Sequence, residues 1–447
     1  MKESAFLNDV ANGPMSAFQI RAVALCVLMN MLDGFDVLAL AFVGPHLSAD
    51  WHLSGKELGY LLSAGLFGMG AGSILIAPAA DKYGRRTLIL LCLPTIALGM
   101  LLSAYAQNPT QLLVLRAITG LGIGGILASM NVITSEYATS KWRSTAISLQ
   151  VAGYPIGATL GGLLASEVLK HFGWRGVFVL GGAATAVLIP LVMRGLPESI
   201  DFLVTKRPKN ALMKLNKVLE RMKRATLPQL PMPETGEVPK SPWVTIVSGS
   251  YLWRTIALCT TWLLVMFSIY FVLSWTPKLI VAGGATPHDG LRAGILLNVG
   301  GIFGGALFGL IALRLGTRLL VSVYFVVTAL LFSYLGMQLS ALGTGTVLFI
   351  VAGAGAFGCM TGMYALTPTV YPADCRGTAM GLAIGIGRVG AVIAPIAAGA
   401  LVDKAWSPSA IYGLFAVPLL IAVFAVIAAG QRKSAASVPV GIVVKPE

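Results

Sequence analysis

Twelve apolar runs limit what this chain can fold into more than any other feature. A helix needs about 20 apolar residues to cross a bilayer. Runs of that order lie at roughly 20–45, 57–79, 86–106, 109–135, 144–168, 175–195, 252–280, 291–313, 317–338, 344–367, 378–402 and 409–430. In hydrocarbon a backbone must satisfy its own amides, so continuous apolar runs of this length are helices. Composition agrees: 56% of the 447 residues are hydrophobic and 11% are charged, against about 25% charged in a soluble domain. The expected class is an all-α membrane protein of twelve spanning helices.

One stretch breaks the pattern. Residues 196–250 are polar, basic and proline-rich, with Pro228, Pro231, Pro233, Pro239 and Pro242. They divide the chain into a six-helix bundle at 1–195, a connector at 196–250, a second six-helix bundle at 251–432 and a tail at 433–447. Within the connector, 208–224 reads as a short amphipathic basic helix on the membrane surface and 225–242 as an extended link. Basic residues mark cytoplasmic loops. The connector carries Lys206, Arg207, Lys209, Lys214, Lys217, Arg221, Lys223 and Arg224. Lys82, Arg85, Arg86, Lys141, Arg143, Arg314, Arg318 and Arg376 fall on the same side, while the other side offers Lys56, Lys170, Arg175, Lys278, Arg292 and Lys404. Both termini and the connector are therefore expected in the cytoplasm.

The net charge of +14 does not point to nucleic acid, because the basic residues sit in short loops between apolar runs rather than on one soluble face. Residues 1–21 contain Glu3, Asp9, Asn12, Gly13 and Pro14 without an apolar core, so no cleaved leader is expected. Cys26, Cys92, Cys259, Cys359 and Cys375 have no metal-site spacing and read as small packing residues. No metal or cofactor is expected, nor is an enzyme: there is no triad, metal cluster or nucleotide loop.

The chemistry is concentrated in the first run, at Met29-Asn30-Met31-Leu32-Asp33-Gly34-Phe35-Asp36. Asp33 and Asp36 are three apart, so a helix places them about one turn from each other on roughly one face. Carboxylates at membrane depth cost about 2.5–3.5 kcal/mol each on insertion scales and are functional by default. A carboxyl group taken out of water holds its proton more tightly, and two close ones share a proton more readily than both ionise. The pair reads as a proton relay in a secondary transporter, with Asp36 favoured as carrier, although spacing cannot separate the two. Arg388, among Gly385, Gly387 and Gly390 in the eleventh run, needs a partner at that depth. It either binds a substrate carboxylate or pairs with an aspartate of helix one, and the two can compete for it.

The turn Ala77-Pro-Ala-Ala-Asp81-Lys82-Tyr-Gly84-Arg85-Arg86 resembles the loop motif of the major facilitator superfamily, with Ala77 where the motif opens on Gly. Leu313-Arg314-Leu315-Gly316-Thr317-Arg318 is a degenerate second copy. Arg116-x-x-x-Gly120-x-Gly122-x-Gly124-Gly125 and Leu196-Pro197-Glu198-Ser199 match the family as well. Asp33-Gly34-Phe35-Asp36 and Gly385-Ile386-Gly387-Arg388-Val389-Gly390 resemble the aromatic acid:proton symporter branch. The resemblance implies two six-helix bundles that rock about a central cavity, in the bacterial inner membrane, as a monomer. Its partners would be protons, lipid and a small aromatic acid, such as a hydroxybenzoate. Muconate, a dicarboxylate or a sugar acid is the alternative substrate.

The resemblance also implies site roles. Arg116 is associated with proton coupling, the other reading being a side chain that snorkels to the interface. Asp81, Arg85, Glu136, Arg143 and Arg376 serve a cytoplasmic gate. Gly153, Gly157, Gly161 and Gly162 recur at a spacing that lets helices pack closely, with Tyr154 beside them. An aromatic-acid site needs ring surface around one cation. From Trp262, Tyr270, Trp275, Asn298, Phe357 and Tyr364, the expected binding residues are Tyr270, Asn298 and Tyr364 with Arg388.

Overall fold

The computed structural model describes residues 12–231, 242–312, 314–338, 346–372 and 375–429. The tail at 433–447, the central part of the connector and the amino-terminal residues 1–11 lie outside the described residues. Helix α1 is Ala17–Trp51, α2 Gly55–Leu75, α3 Arg85–Ser103 and α4 Pro109–Tyr137. The next helical stretch, Arg143–Gly195, is 53 residues long. That is about 80 Å, far more than one crossing of a core of about 30 Å. It breaks at Gly173 (φ 63°, ψ −169°), a conformation that glycine adopts without a side-chain clash. The two arms, 143–172 and 174–195, are α5 and α6. The second half repeats the plan: α7 Gly249–Ala282, α8 Pro287–Ala312, α9 Thr317–Gln338, α10 Thr346–Leu366, α11 Arg376–Asp403 and α12 Pro408–Ala429.

Local chemistry sets several helix starts. Ser16 with Gln19 and Ser54 with Glu57 form capping boxes at α1 and α2. Asn108 caps α4, whose first residue is Pro109, a position where a missing amide costs nothing. Glycines then set the packing. In the first bundle α1 meets α5 where Gly34 faces the Tyr154 carbonyl and Gly157 faces that of Met31. Helices α2 and α4 meet at Gly68, Gly72, Gly120 and Gly124, each against the other's backbone. In the second bundle α7 meets α11 at Gly387 and Gly390, and α8 meets α10 at Gly300, Gly304 and Gly353. The seams correspond one to one, as a repeated six-helix unit requires. Lipid offers no hydrophobic drive between helices, so close backbone approach of this kind supplies the dispersion contact.

The connector folds against the first bundle. Helix Ala211–Arg221 buries Leu215, Val218 and Leu219, and Met222 follows. The Arg221 guanidinium lies 5.6 Å over the Phe18 ring at the start of α1. The amphipathic helix thus turns its apolar face to protein rather than to a membrane surface. Asn216 exchanges two hydrogen bonds with Leu227, both 2.9 Å.

The bundles touch at one end and part at the other. At the end holding the α1–α2 and α11–α12 turns, called the far end, α2 lies on α11. Gly55 sits against Gly399, Gly59 against the Pro395 carbonyl, and Ser63 donates to the Val392 carbonyl at 2.6 Å. Toward the connector, at the basic end, the same face of α11 is bare. Among the described residues, Gly385, Gly381 and Gly377 have nothing within 4 Å of where a Cβ would stand, and neither does Gly70 of α2. Arg388 lies one turn below Val392, where the contact stops.

Candidate functional site

Gly34 puts the two aspartates at a close approach of the α1–α5 seam, since a side chain there would overlap the Tyr154 carbonyl. Asp33 and Asp36 are buried, at 4% and 1% exposure, and among the described residues the Oδ1 atom of each lacks a hydrogen-bond partner. Their surroundings differ. The charge of Arg388, from the other bundle, acts on Asp33. Asp36 is acted on by Arg116 of its own bundle and by Asp33. It is also close to α6: a Cβ on Gly181 would stand 2.9 Å from its Oδ1. Three residues advance a helix by about 300°, which leaves the two side chains about 60° apart; here one carboxylate lies toward the bundle interface and the other toward the bundle interior.

Arg116 stays in the protein interior. It is 2% exposed, donates to the Asp36 backbone carbonyl at 2.5 Å and to the Met100 sulfur at 2.7 Å, and lies 5.7 Å over the Phe178 ring. It does not snorkel to an interface. Among the described residues it forms no ion pair with a carboxylate inside 4 Å.

Arg388 is the centre of the other cluster. Its charge acts on Asp33, Tyr154, Tyr270 and Tyr364, so helices α1, α5, α7, α10 and α11 converge there. The Tyr364 ring meets Trp262 edge-on at 4.9 Å. Trp262 is fully buried and donates to the Thr367 hydroxyl at 3.0 Å, whereas Tyr364 is 41% exposed. Tyr154 leans on Phe357 of the opposite bundle at 6.3 Å, and its hydroxyl has no partner among the described residues. Asn298, on the α8 face that packs against Phe42 and Pro277 through Gly294, donates its amide N–H to the Gly294 carbonyl at 2.9 Å, and its Oδ1 has no partner among the described residues. Trp275 is fully buried and donates to the Pro395 carbonyl at 3.0 Å, which makes it a packing residue. Five helices thus bring tyrosine side chains and one carboxylate around a single guanidinium.

The basic end carries the second constellation. Arg85 pairs with Glu136 at 3.0 Å and Asp201 at 3.3 Å, and donates to the Ser199 hydroxyl. Glu136 also accepts from the Ile200 amide at 2.8 Å, and Glu198 accepts from the Arg86 amide at 3.0 Å. The loop motif and the first residues of the connector thus form one unit. Asp81 stands at its edge, exposed, 3.8 Å from Arg85. Arg143 donates to the Ser135 carbonyl at 3.0 Å, and Arg376 to that of Tyr371 at 3.1 Å, each inside its own bundle. The degenerate copy behaves differently: Arg318 caps the end of α12 through the Val426 and Ile427 carbonyls. Asp201 and the carboxylate of Asp403 were not singled out from the sequence. Asp201 follows directly on Leu196-Pro197-Glu198-Ser199, which signals it, whereas a lone acid at a helix end signals nothing.

With this architecture the chain falls among polytopic transporters built from two six-helix bundles. It belongs to the Major Facilitator Superfamily, whose family profile matches residues 26–386 and 300–441. It is 30% identical over 430 residues to a "Gallate transporter" of Pseudomonas putida, covering 95% of this chain and 94% of that protein. It is 29% identical to the "4-hydroxybenzoate transporter PcaK" of Pseudomonas aeruginosa, over 95% of each chain. A "Benzoate transport protein" of Acinetobacter baylyi is 27% identical over 88% of this chain and 86% of its own. In fold, the chain is similar to the inward open xylose transporter XylE from E. coli, with a TM-score of 0.72 at 16% identity, over 93% of this chain and 98% of that one. The family is one of transporters, not enzymes.

Proposed function

We propose that this protein imports a small aromatic carboxylate, hydroxybenzoate-like, together with protons, by alternating access across the bacterial inner membrane. The observation that carries the reading is the cluster at Arg388: one half-buried guanidinium whose charge reaches three tyrosines and one aspartate. Arg388 would hold the carboxylate in a bidentate fork, with Tyr270, Tyr364 and Asn298 around the ring. The names of the relatives, gallate, 4-hydroxybenzoate and benzoate transporters, support the substrate class. The basic end faces the cytoplasm by the positive-inside rule, so both termini lie there and the cavity opens inward.

Coupling follows from the placement of the carboxylates. While Asp33 is ionised it competes with the substrate for Arg388. Protonation releases Arg388 to the incoming anion, and the neutralised centre lets the bundles rock, since a ligand drives a transition only through its different affinity for the two states. Asp36 and Arg116 carry the second charge change within the first bundle. The gate residues Asp81, Arg85, Glu136, Arg143 and Arg376 close the basic end when the cavity turns outward.

Among the described residues no second deep cation stands beside Arg388, because Arg116 is committed to the Asp36 carbonyl and Met100. That favours a monocarboxylate over muconate or another dicarboxylate. The test is a thermal-shift screen of aromatic acids, dicarboxylates and sugar acids, followed by pH-gradient uptake of any hit in proteoliposomes. Stabilisation by hydroxybenzoates and gradient-driven uptake are expected; stabilisation by dicarboxylates or sugar acids alone would overturn the substrate class.

A further inference from the structure

The far end is held shut by a carboxylate working on another helix's amides. The first amides of α2 have no partner within their own helix. Two are satisfied locally: Ser54 N–H donates to the Glu57 carboxylate at 2.9 Å and Glu57 N–H to the Ser54 hydroxyl at 3.2 Å. The other two go to the opposite bundle. Gly55 N–H donates to Asp403 Oδ1 at 2.6 Å and Lys56 N–H to Oδ2 at 2.9 Å. Asp403 is the last residue of α11, where its own helix dipole disfavours a negative charge; the amino-terminal end of α2 favours one. The residue is misplaced for the helix that carries it and well placed for the helix it meets.

We propose that Asp403 is a latch of the far-end gate, stabilising the inward-open state by capping α2 in trans, and that it must let go each time the cavity turns outward. Two further observations belong to the same contact. Gly55 and Gly399 are packed so closely that a Cβ on either would overlap the other's backbone carbonyl or its surroundings. The Lys56 ammonium lies 5.8 Å over the Tyr60 ring, and among the described residues Asp403 has no ion pair. The latch is thus made by backbone amides, not by the lysine charge. It lies among exposed residues, so water can replace the carboxylate when the bundles part. The contact is strong enough to bias the equilibrium and cheap enough to break in every cycle.

The inference rests on alternating access in the proposed function, but its test needs no substrate, so the two can fail separately. Spin labels are placed at Tyr60→Cys with Trp406→Cys across the far end, and at Tyr83→Cys with Leu315→Cys across the basic end, in the full chain in nanodiscs. Pulsed dipolar measurements then report the two openings. Asp403→Ala should shift the inward:outward ratio by about tenfold or more (~1.4 kcal/mol per tenfold), lengthening far-end distances and shortening basic-end ones. Asp403→Asn, which keeps one acceptor oxygen without the charge and is gentler on folding, should shift it the same way by less. Lys56→Gln should leave both distributions in place. Unchanged distances in Asp403→Ala and Asp403→Asn would overturn the latch, and so would opening by Lys56→Gln.

Discussion

Asp33 and Asp36 sit one turn apart on one helix, and the molecule treats them as parts of two different regions. Asp33 belongs to the space between the bundles, where Arg388 and Tyr270 of the second bundle and Tyr154 of the first act on it. Asp36 belongs to the interior of the first bundle, where Arg116, Met100 and Gly181 close around it. In the proposed mechanism a proton on Asp33 would change what Arg388 can bind, and a proton on Asp36 would change how α1 is held against α4 and α6. Under that proposal the two carboxylates divide ligand exchange from the conformational response, with the intervening Gly34 backbone as the joint.

The largest expected effects test that division directly. Asp33→Asn and Asp36→Asn should each reduce pH-gradient-driven uptake in proteoliposomes to simple equilibration. Only Asp33→Asn should also tighten substrate binding at neutral pH and flatten its pH dependence by calorimetry, because it removes the competitor for Arg388. Matching binding curves for the two variants would erase the distinction. Next, Arg388→Lys loses the bidentate fork, and affinity should fall by roughly 10- to 100-fold (about 1.4–2.8 kcal/mol) with a thermal midpoint close to that of the parent protein without ligand. An affinity that did not move would take Arg388 out of the site.

Smaller effects sharpen the comparison. Gly34→Ala places a methyl group against the Tyr154 carbonyl and should cost about 1–3 kcal/mol of stability, seen as a lowered thermal midpoint in detergent, while disturbing both aspartates at once. Gradient coupling that survived it would mean the seam is not the joint. Tyr364→Phe should weaken binding of a hydroxybenzoate by about two- to tenfold and leave coupling intact; loss of coupling instead would place Tyr364 with the proton path.

Much of the fold was legible because the bilayer imposes a length on each helix and the connector interrupts a regular pattern. The break at Gly173 fell between two separate runs, and the recurring glycines of α5 signalled close packing without naming α1 as the partner. The loop motif told of Arg85 and Glu136 through resemblance. What could not be read was direction. A spacing of three leaves open whether two carboxylates share a partner, and here the partners lie on α11 for one and α4 for the other. Nor did the sequence tell that the connector's amphipathic helix would cover its apolar face with protein, since that needs Phe18 and its neighbours to lie beneath it.

By itself, the order of residues determined that this chain spans a membrane as two related halves, which deep residues carry charge, and which end carries the basic loops. Those are properties of segments, and hydrocarbon acts on each segment separately. Only the tertiary structure decided that Arg388 faces Asp33, that Arg116 holds the Asp36 carbonyl, and that Asp403 caps a helix far away in sequence. These contacts join residues from different helices, and their geometry depends on how bundles dock, which no local period encodes.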